Sequence, residues 1–182
     1  MSRTRRTSTE SSDRAWTTRV EATSDVPAVR RINLAAFPTA EEADLVDALR
    51  ADPDAWLPGL SLLAEAPDGT PVGHALLTRC RVGGAPALAL APVAVLPDHQ
   101  RTGAGSAAVR AALAAAGERD ENLVVVLGHP DYYPRFGFRR ASRLGVGVAF
   151  DVPDEALMAL ALRPELPVPT GTIAYPAAFG VP

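Results

Sequence analysis

A mixed α/β fold, built on a largely antiparallel central sheet with flanking helices, is what this sequence predicts. Apolar residues switch along the chain between the two-residue period of strands and the wider period of helices. Two turn signals, Pro67-Asp68-Gly69-Thr70 and Gly83-Gly84, join three consecutive apolar runs as antiparallel hairpins, because Pro presets φ and Gly supplies positive φ. The resulting order, β-α-α-β-β-β-α-β-α-β, is neither a strict βαβα alternation nor an all-β spacing.

Residues 1–15 carry Arg, Ser and Thr with almost nothing to bury, so a disordered tail is expected ahead of a single domain over residues 16–182. Alternation of Trp16, Thr18, Val20 and Ala22 against polar neighbours predicts a first strand. Asp25 is a good N-cap for a helix carrying Val29, Ile32, Leu34 and Phe37, which Pro38 ends. A second amphipathic helix is predicted over 40–51, with Leu45, Val46 and Leu49 inward and Glu41, Glu42, Asp44 and Asp47 outward. Residues 61–66, 71–82 and 85–96 then form the three antiparallel strands.

An Ala-rich helix follows over 104–118, and the β-branched run 122–127 reads as a strand buried on both faces. A short helix or turn is expected within 129–138 and a strand near 140–150. Val152, Ala156, Leu157 and Leu160 predict a helix over 151–162. The Pro-rich segment 163–182, with Ile173, Tyr175 and Phe179, is expected to cover its own subunit's sheet, a neighbour's sheet being the alternative.

Composition removes whole classes of chemistry. All 18 basic residues among the 182 are Arg. Without lysine there is no Schiff base to a carbonyl or to pyridoxal phosphate, no G-x-x-x-x-G-K-[ST] phosphate loop and no kinase-type strand lysine. A G+C-rich coding bias accounts for such a composition, and the exclusions hold regardless. The net charge of −3 argues against a nucleic-acid partner, which favours a basic face. Cys80 stands alone and no C-x-x-C or H-E-x-x-H spacing offers a metal site, so a reducing, cytoplasmic setting without a bound metal is expected. No run reaches the ~18 apolar residues of a membrane span, and no apolar signal core opens the chain.

Two adjacent features carry the chemistry. Pro92 interrupts an otherwise excellent strand, which leaves backbone groups of Val93, Ala94 and Val95 free to pair with something other than protein. Directly after that strand comes Gln100-Arg101-Thr102-Gly103-Ala104-Gly105-Ser106, and then the Ala-rich helix. Glycines let a chain fold tightly around a ligand, and first-turn amides with the positive end of the helix dipole receive phosphates. Two glycines also serve as a plain helix-entry turn. A dinucleotide fingerprint fits poorly, since its third glycine position falls on Ala108 and the preceding strand follows antiparallel hairpins.

Gln100-x-x-Gly103-x-Gly105 after an apolar strand, with Tyr133-x-x-Phe136-Gly137-Phe138 some thirty residues on, resembles the acetyl-CoA motif pair of the GCN5-related N-acetyltransferase (GNAT) superfamily. The run VVVLGHPDYYPRFGF over 124–138 resembles its predicted-acetyltransferase branch of the YhbS-like type, and the likeness extends from Trp16 through DVPDEALMAL at 151–160 to YPAAF at 175–179. The resemblance implies the acyl-CoA N-acyltransferase fold, splayed at the cofactor site. It further implies amides around Arg101 to Ser106 on the CoA pyrophosphate, Gln100 at the start of the loop, Val93 and Val95 pairing with the pantetheine arm, and Tyr133 as general acid toward the departing thiolate. Tyr132 is assigned to packing or substrate-side lining.

Acetyl transfer by direct attack needs an unprotonated amine, although alkylamines titrate near ~10. It also needs a donor for the oxyanion, such as the Val95 amide, and a proton for the thiolate, which a phenol provides. Cys80 reads as a small core residue. The base stays open among Asp98, His99, Glu65, His74 and His129. The expected activity is acetyl-CoA-dependent N-acetylation of a small-molecule or peptide amine by a monomer or homodimer. The alternatives are a non-catalytic acyl-CoA-binding sensor or interaction module and an acyltransferase with a hydroxyl acceptor.

Overall fold

The computed structural model describes residues 16–182, so the tail expected over 1–15 lies outside the described residues. Strand β1 (Thr17–Val20) pairs antiparallel with β2 (Ser61–Glu65), and α1 (Val26–Ala36) and α2 (Glu41–Ala51) run between them. β2 leads to β3 (Pro71–Val82) and β3 to β4 (Ala85–Val95), giving three consecutive antiparallel strands. After α3 (Ala104–Gly117), β5 (Leu123–Leu127) lies parallel to β4.

The C-terminal third departs from expectation twice. Residues 140–150 hold no single strand: β6 (Arg139–Arg140) gives way to a 3-10 turn, Ala141–Leu144, and β7 (Val146–Gly147) follows. Residues 151–162 are not a helix, because β8 (Leu157–Ala161) pairs antiparallel with β5 along its full length. Met158 and Leu160 face one core while Leu157 and Ala159 face the other. With every position apolar, the two-residue period leaves no trace in the sequence, and the open edge of β5 decides. β9 (Gly171–Ala174) pairs with the end of β3 and with β7, so the C-terminal segment covers its own chain's sheet.

The sheet order is β1-β2-β3-β4-β5-β8-β6, with β9 beside β3. α3 covers one face. Its Ala104, Ala108, Ala112 and Ala116, four residues apart, are all buried, so the helix axis approaches the sheet closely. Gly73 on β3 permits this, since a Cβ there would lie 3.3 Å from Ala64 Cβ and 3.5 Å from the Ala104 carbonyl oxygen. On the other face, Val29 of α1 and Val46 and Leu49 of α2 pack on Leu63 and Leu76. Truncating a fully buried residue such as Leu49 to Ala costs about 2–5 kcal/mol, so these helices are firmly seated.

Two helix details differ from the sequence pattern. The Asp25 carboxylate does not cap α1; it accepts the Ala22 N–H at 2.7 Å and pairs with the Arg19 guanidinium at 2.6 and 2.9 Å. Arg19 thereby holds this carboxyl below its usual range. In α2 the inward face is Ala43, Val46 and Leu49; Leu45 is half-buried, and so is Glu42, expected to point outward.

His74 on β3 is enclosed in a polar chain. Asn33 Nδ2 lies 3.1 Å from Nδ1, and Ser61 Oγ lies 2.9 Å from Nε2. Ser61 donates onward to Glu21, whose other oxygen receives Arg50 at 2.5 Å. Because the serine proton goes to Glu21, the network assigns the neutral Nε2–H tautomer. Burial lowers the His74 pKa to about 3, so this imidazole stays neutral and ties α1, β2 and β3 together.

Candidate active site

The site begins where β4 leaves β5. Their pairing consists of Leu88↔Val124 and Ala89↔Val125. A bulge follows on β4: Ala75 pairs with Val93 and Leu77 with Leu90, so Ala91 and Pro92 stand opposite the one residue Leu76. Pro92, without an amide proton, sits at that interruption. Beyond it Leu96 N–H donates to the Val72 carbonyl at 2.8 Å. Strand alternation therefore turns the backbone groups of Ala94 toward β3 and those of Val93 and Val95 toward the edge that β5 has left. Of the three residues expected to offer backbone there, Ala94 does not.

The loop after β4 is held in shape by side chains, two of its own and one from Trp16. Trp16 Nε1 donates to the Thr102 carbonyl at 2.9 Å, Thr102 Oγ1 donates to His99 O, and Gln100 Nε2 donates to the Val95 carbonyl at 3.1 Å. Arg101 takes φ 60 and Gly103 φ 92, two left-handed residues that swing the chain into α3. For Arg101 this conformation is costly, and such strain concentrates at binding sites. The first intrahelical bond is Ala107 N–H to Gly103 O at 2.9 Å, and no side chain caps the helix. The amides of Ala104, Gly105 and Ser106 are thus left at the positive end of a 14-residue helix. Gly105 is tightly packed: a Cβ there would lie 3.0 Å from Val95 Cγ2 and 3.4 Å from the Tyr132 hydroxyl, so the Val95 side chain would have to give.

Tyr133 opens a 3-10 turn, Tyr133–Phe136, placed by Tyr132 and Tyr133 N–H groups on the His129 carbonyl at 3.1 and 3.5 Å. Its ring stands edge-on to Tyr132 and Phe138, with centroids 5.0 and 5.8 Å away. Burial, with the neighbouring Tyr132, pushes the Tyr133 hydroxyl up to about 12, so it is a neutral phenol at physiological pH. Tyr132 faces the loop side, its hydroxyl 3.1 Å from Ser106 Oγ, and Arg135 stacks over its ring at 4.3 Å.

Two clefts meet at this point. The first, about 620 Å³, is lined by Val93, Val95, Gln100, Arg101, Gly103, Gly105 and Ser106 together with Tyr132, Tyr133 and Arg135. Ala94, Thr102 and Ala104, also expected at the site, do not line it; the Ala94 and Ala104 side chains are in the core. The second, about 460 Å³, is walled by apolar groups of β4 and β5, by Phe37 and Leu45, and by Tyr175, Phe179 and Val181 of the C-terminal segment. Phe37, Val93, His129 and Tyr133 line both.

Among the candidate bases, Glu65 is engaged by Arg19 at 2.5 Å, His74 is enclosed, and His99 packs edge-on to Trp16 with ring centroids 6.1 Å apart. Asp98 sits in the 3-10 turn before the loop, and His129 reaches both clefts. Cys80 is buried, its thiol pushed up to about 12 by desolvation, in keeping with a core role. Sequence reasoning passed over Trp16, Phe37, Gly128 and Arg135. Only Phe37, at the helix end before Pro38, carried a local signal. Among the described residues no helix is long and apolar enough to cross a membrane, and no group of three or more His, Cys, Asp or Glu is placed to hold a metal ion.

The chain is similar to known proteins over most of its length. A family model described as the acetyltransferase (GNAT) family matches residues 26–138. The chain is 39% identical over 137 residues to the uncharacterized N-acetyltransferase YjhQ of Escherichia coli (strain K12), covering 72% of this chain and 75% of that protein. Among solved structures, the GNAT family N-acetyltransferase YhbS of Escherichia coli in complex with CoA superposes with a TM-score of 0.83 at 27% identity, over 91% of this chain and 92% of that one. A GNAT family acetyltransferase of Brucella melitensis in complex with acetyl-CoA gives 0.73 at 32% identity, over 91% and 98%.

Proposed function

Because this chain belongs to the GNAT acetyltransferase family, and is by that membership an acyltransferase, we propose that it moves an acetyl group from acetyl-CoA to an acceptor amine by direct attack at the junction of the two clefts. The observation that carries the reading is the shared mouth, where Val93, His129 and Tyr133 face both the loop-side cleft and the apolar one. Two substrates entering from opposite sides meet there.

The residues present fit acetyl-CoA. The unpaired amides of Gly105 and Ser106 suit a pyrophosphate, with Arg101 and Arg135 on the same cleft as the cations. The edge of Val93 and Val95, where the Gln100 side chain holds the Val95 carbonyl, suits a strand-like pantetheine arm on the groups that remain. Acetyl-CoA bound there supplies an activated acyl group and a thiol leaving group. An amide on that edge is the donor for negative charge developing on the carbonyl oxygen. His129, exposed to solvent and lining both clefts, takes the proton of the incoming ammonium.

As the acceptor nitrogen bonds the acetyl carbon and the carbon–sulfur bond breaks, the Tyr133 hydroxyl gives its proton to the sulfur, and the second proton, released by the acylated nitrogen, restores the phenol. Held neutral by burial, the Tyr133 phenol carries the proton that the departing thiolate needs.

The test is thiol release from acetyl-CoA over a panel of amines, beside CoA titration of the wild type and Tyr133→Phe. Amine-dependent release that Tyr133→Phe suppresses while CoA still binds supports the reading. Saturable CoA binding with no release for any acceptor would make the protein an acyl-CoA-binding module instead.

A further inference from the structure

Resting on the transferase reading, we infer that the apolar cleft selects small hydrophobic primary amines, and that Glu42 on α2 is the group that recognises their positive charge. Glu42 is the one carboxylate on the wall of this cleft, which it shares with Leu45, Phe150, Tyr175 and Phe179. Among the described residues its Oε2 is shielded from solvent and has no hydrogen-bond partner. Among the described residues no Arg lines the cleft, and lysine is absent from the chain; His129, at the mouth, is the one side chain on the wall that can carry positive charge, and Glu42 Oε2 has no hydrogen bond to it.

A carboxylate with one oxygen cut off from water and no ion pair is poorly compensated, and a cation entering beside it restores the balance. The neighbouring acids on α2 are in a different position. Asp44 and Asp47 are both engaged by Arg30, at 2.9 and 2.6 Å, and Glu41 is exposed at the start of the helix. Complementing the helix dipole is therefore a role that Glu41 fills without any need for Glu42 to turn inward.

The rest of the wall points to the same ligand. Tyr175 lies between Phe150 and Phe179, with ring centroids 6.4 and 5.2 Å away, an aromatic cluster whose faces attract an ammonium and whose area holds an apolar body. An acceptor bearing its own carboxylate meets Glu42 and finds no Arg on this wall. The cleft therefore discriminates against α-amino acids and in favour of amines that carry the positive charge alone.

The experiment compares 2-phenylethylamine, phenylalanine and a short peptide with a free N-terminus as acceptors for wild type, Glu42→Gln and Glu42→Asp, with CoA affinity measured separately by titration calorimetry. The expected result is a kcat/KM for 2-phenylethylamine about tenfold or more above the other two. Glu42→Gln raises its KM by about tenfold, and Glu42→Asp recovers part of that loss, with CoA affinity unchanged. Equal turnover of phenylalanine or the peptide, or an unchanged KM in Glu42→Gln, would overturn the assignment. If wild type fails to bind CoA at all, the transferase reading itself falls, and this inference with it.

Discussion

Gly128 and Tyr133 are in such close apposition that a single methyl group would separate them: a Cβ built on Gly128 would lie 2.5 Å from Tyr133 Cε2 and 3.2 Å from Cδ2. The glycine closes the end of β5, where its N–H donates to the Ala156 carbonyl at 2.9 Å. Its absent side chain is the space in which the phenol stands. Gly128 is thus a positioning residue for the group at the mouth of both clefts.

Gly128→Ala tests that relationship. The ring must move by a large fraction of an ångström, and misplacement of about 1 Å costs on the order of 10²-fold in rate. We expect kcat to fall by about that factor with CoA affinity nearly unchanged. In a Tyr133→Phe background the same substitution should add little, which steady-state kinetics on the four proteins of the cycle will show.

Tyr133→Phe itself should lower kcat by about 10²–10⁴-fold. With the hydroxyl pushed up to about 12, the wild-type rate should rise with pH as the acceptor amine deprotonates near ~10 and show no alkaline fall before the phenol ionises. A descending limb between pH 8 and 10 in a pH–rate profile would count against Tyr133 as the proton donor.

Gly103→Glu should abolish measurable CoA binding in titration calorimetry. The residue takes φ 92, a conformation strained for any L side chain, and a carboxylate there opposes the pyrophosphate at the start of α3. Gly103→Ala carries the strain without the charge and should weaken binding far less.

His74 predicts a pH dependence of stability. The unfolded imidazole takes up its proton near 6.5, while the folded one resists protonation down to about 3. The unfolded state therefore binds more protons across that window, so stability declines as pH falls below 6.5, by up to about 1.4 kcal/mol per unit. Denaturant unfolding between pH 7 and 4 should show this slope for wild type and lose it in His74→Gln.

Much of the fold was legible because its signals are local. Positive φ at Gly69, Gly83 and Gly84 makes the two hairpins, and the four-residue spacing of Ala104, Ala108, Ala112 and Ala116 makes α3. The segment 157–161 was not legible, since LMALA buries both faces and a helix and a strand read alike until the edge of β5 is known. The loop and Tyr133 carried motif-level signals and do line one cleft. Glu42 carried none, because an acid in the first turn of an amphipathic helix reads as solvated unless the C-terminal segment is seen folding over it. Trp16 escaped for the same reason: 86 residues separate it from the Thr102 carbonyl it holds.

The most direct measurement follows an isotopically labelled acetyl group from acetyl-CoA in the presence of 2-phenylethylamine, with mass spectrometry of amine and protein and a count of released thiol. Direct attack predicts label in the amide equimolar with free thiol, none on the protein at Cys80, and a large loss of both signals in Tyr133→Phe. Label accumulating on the protein, or CoA saturating the cleft while no label leaves it for any amine, would contradict transfer at the junction of the two clefts.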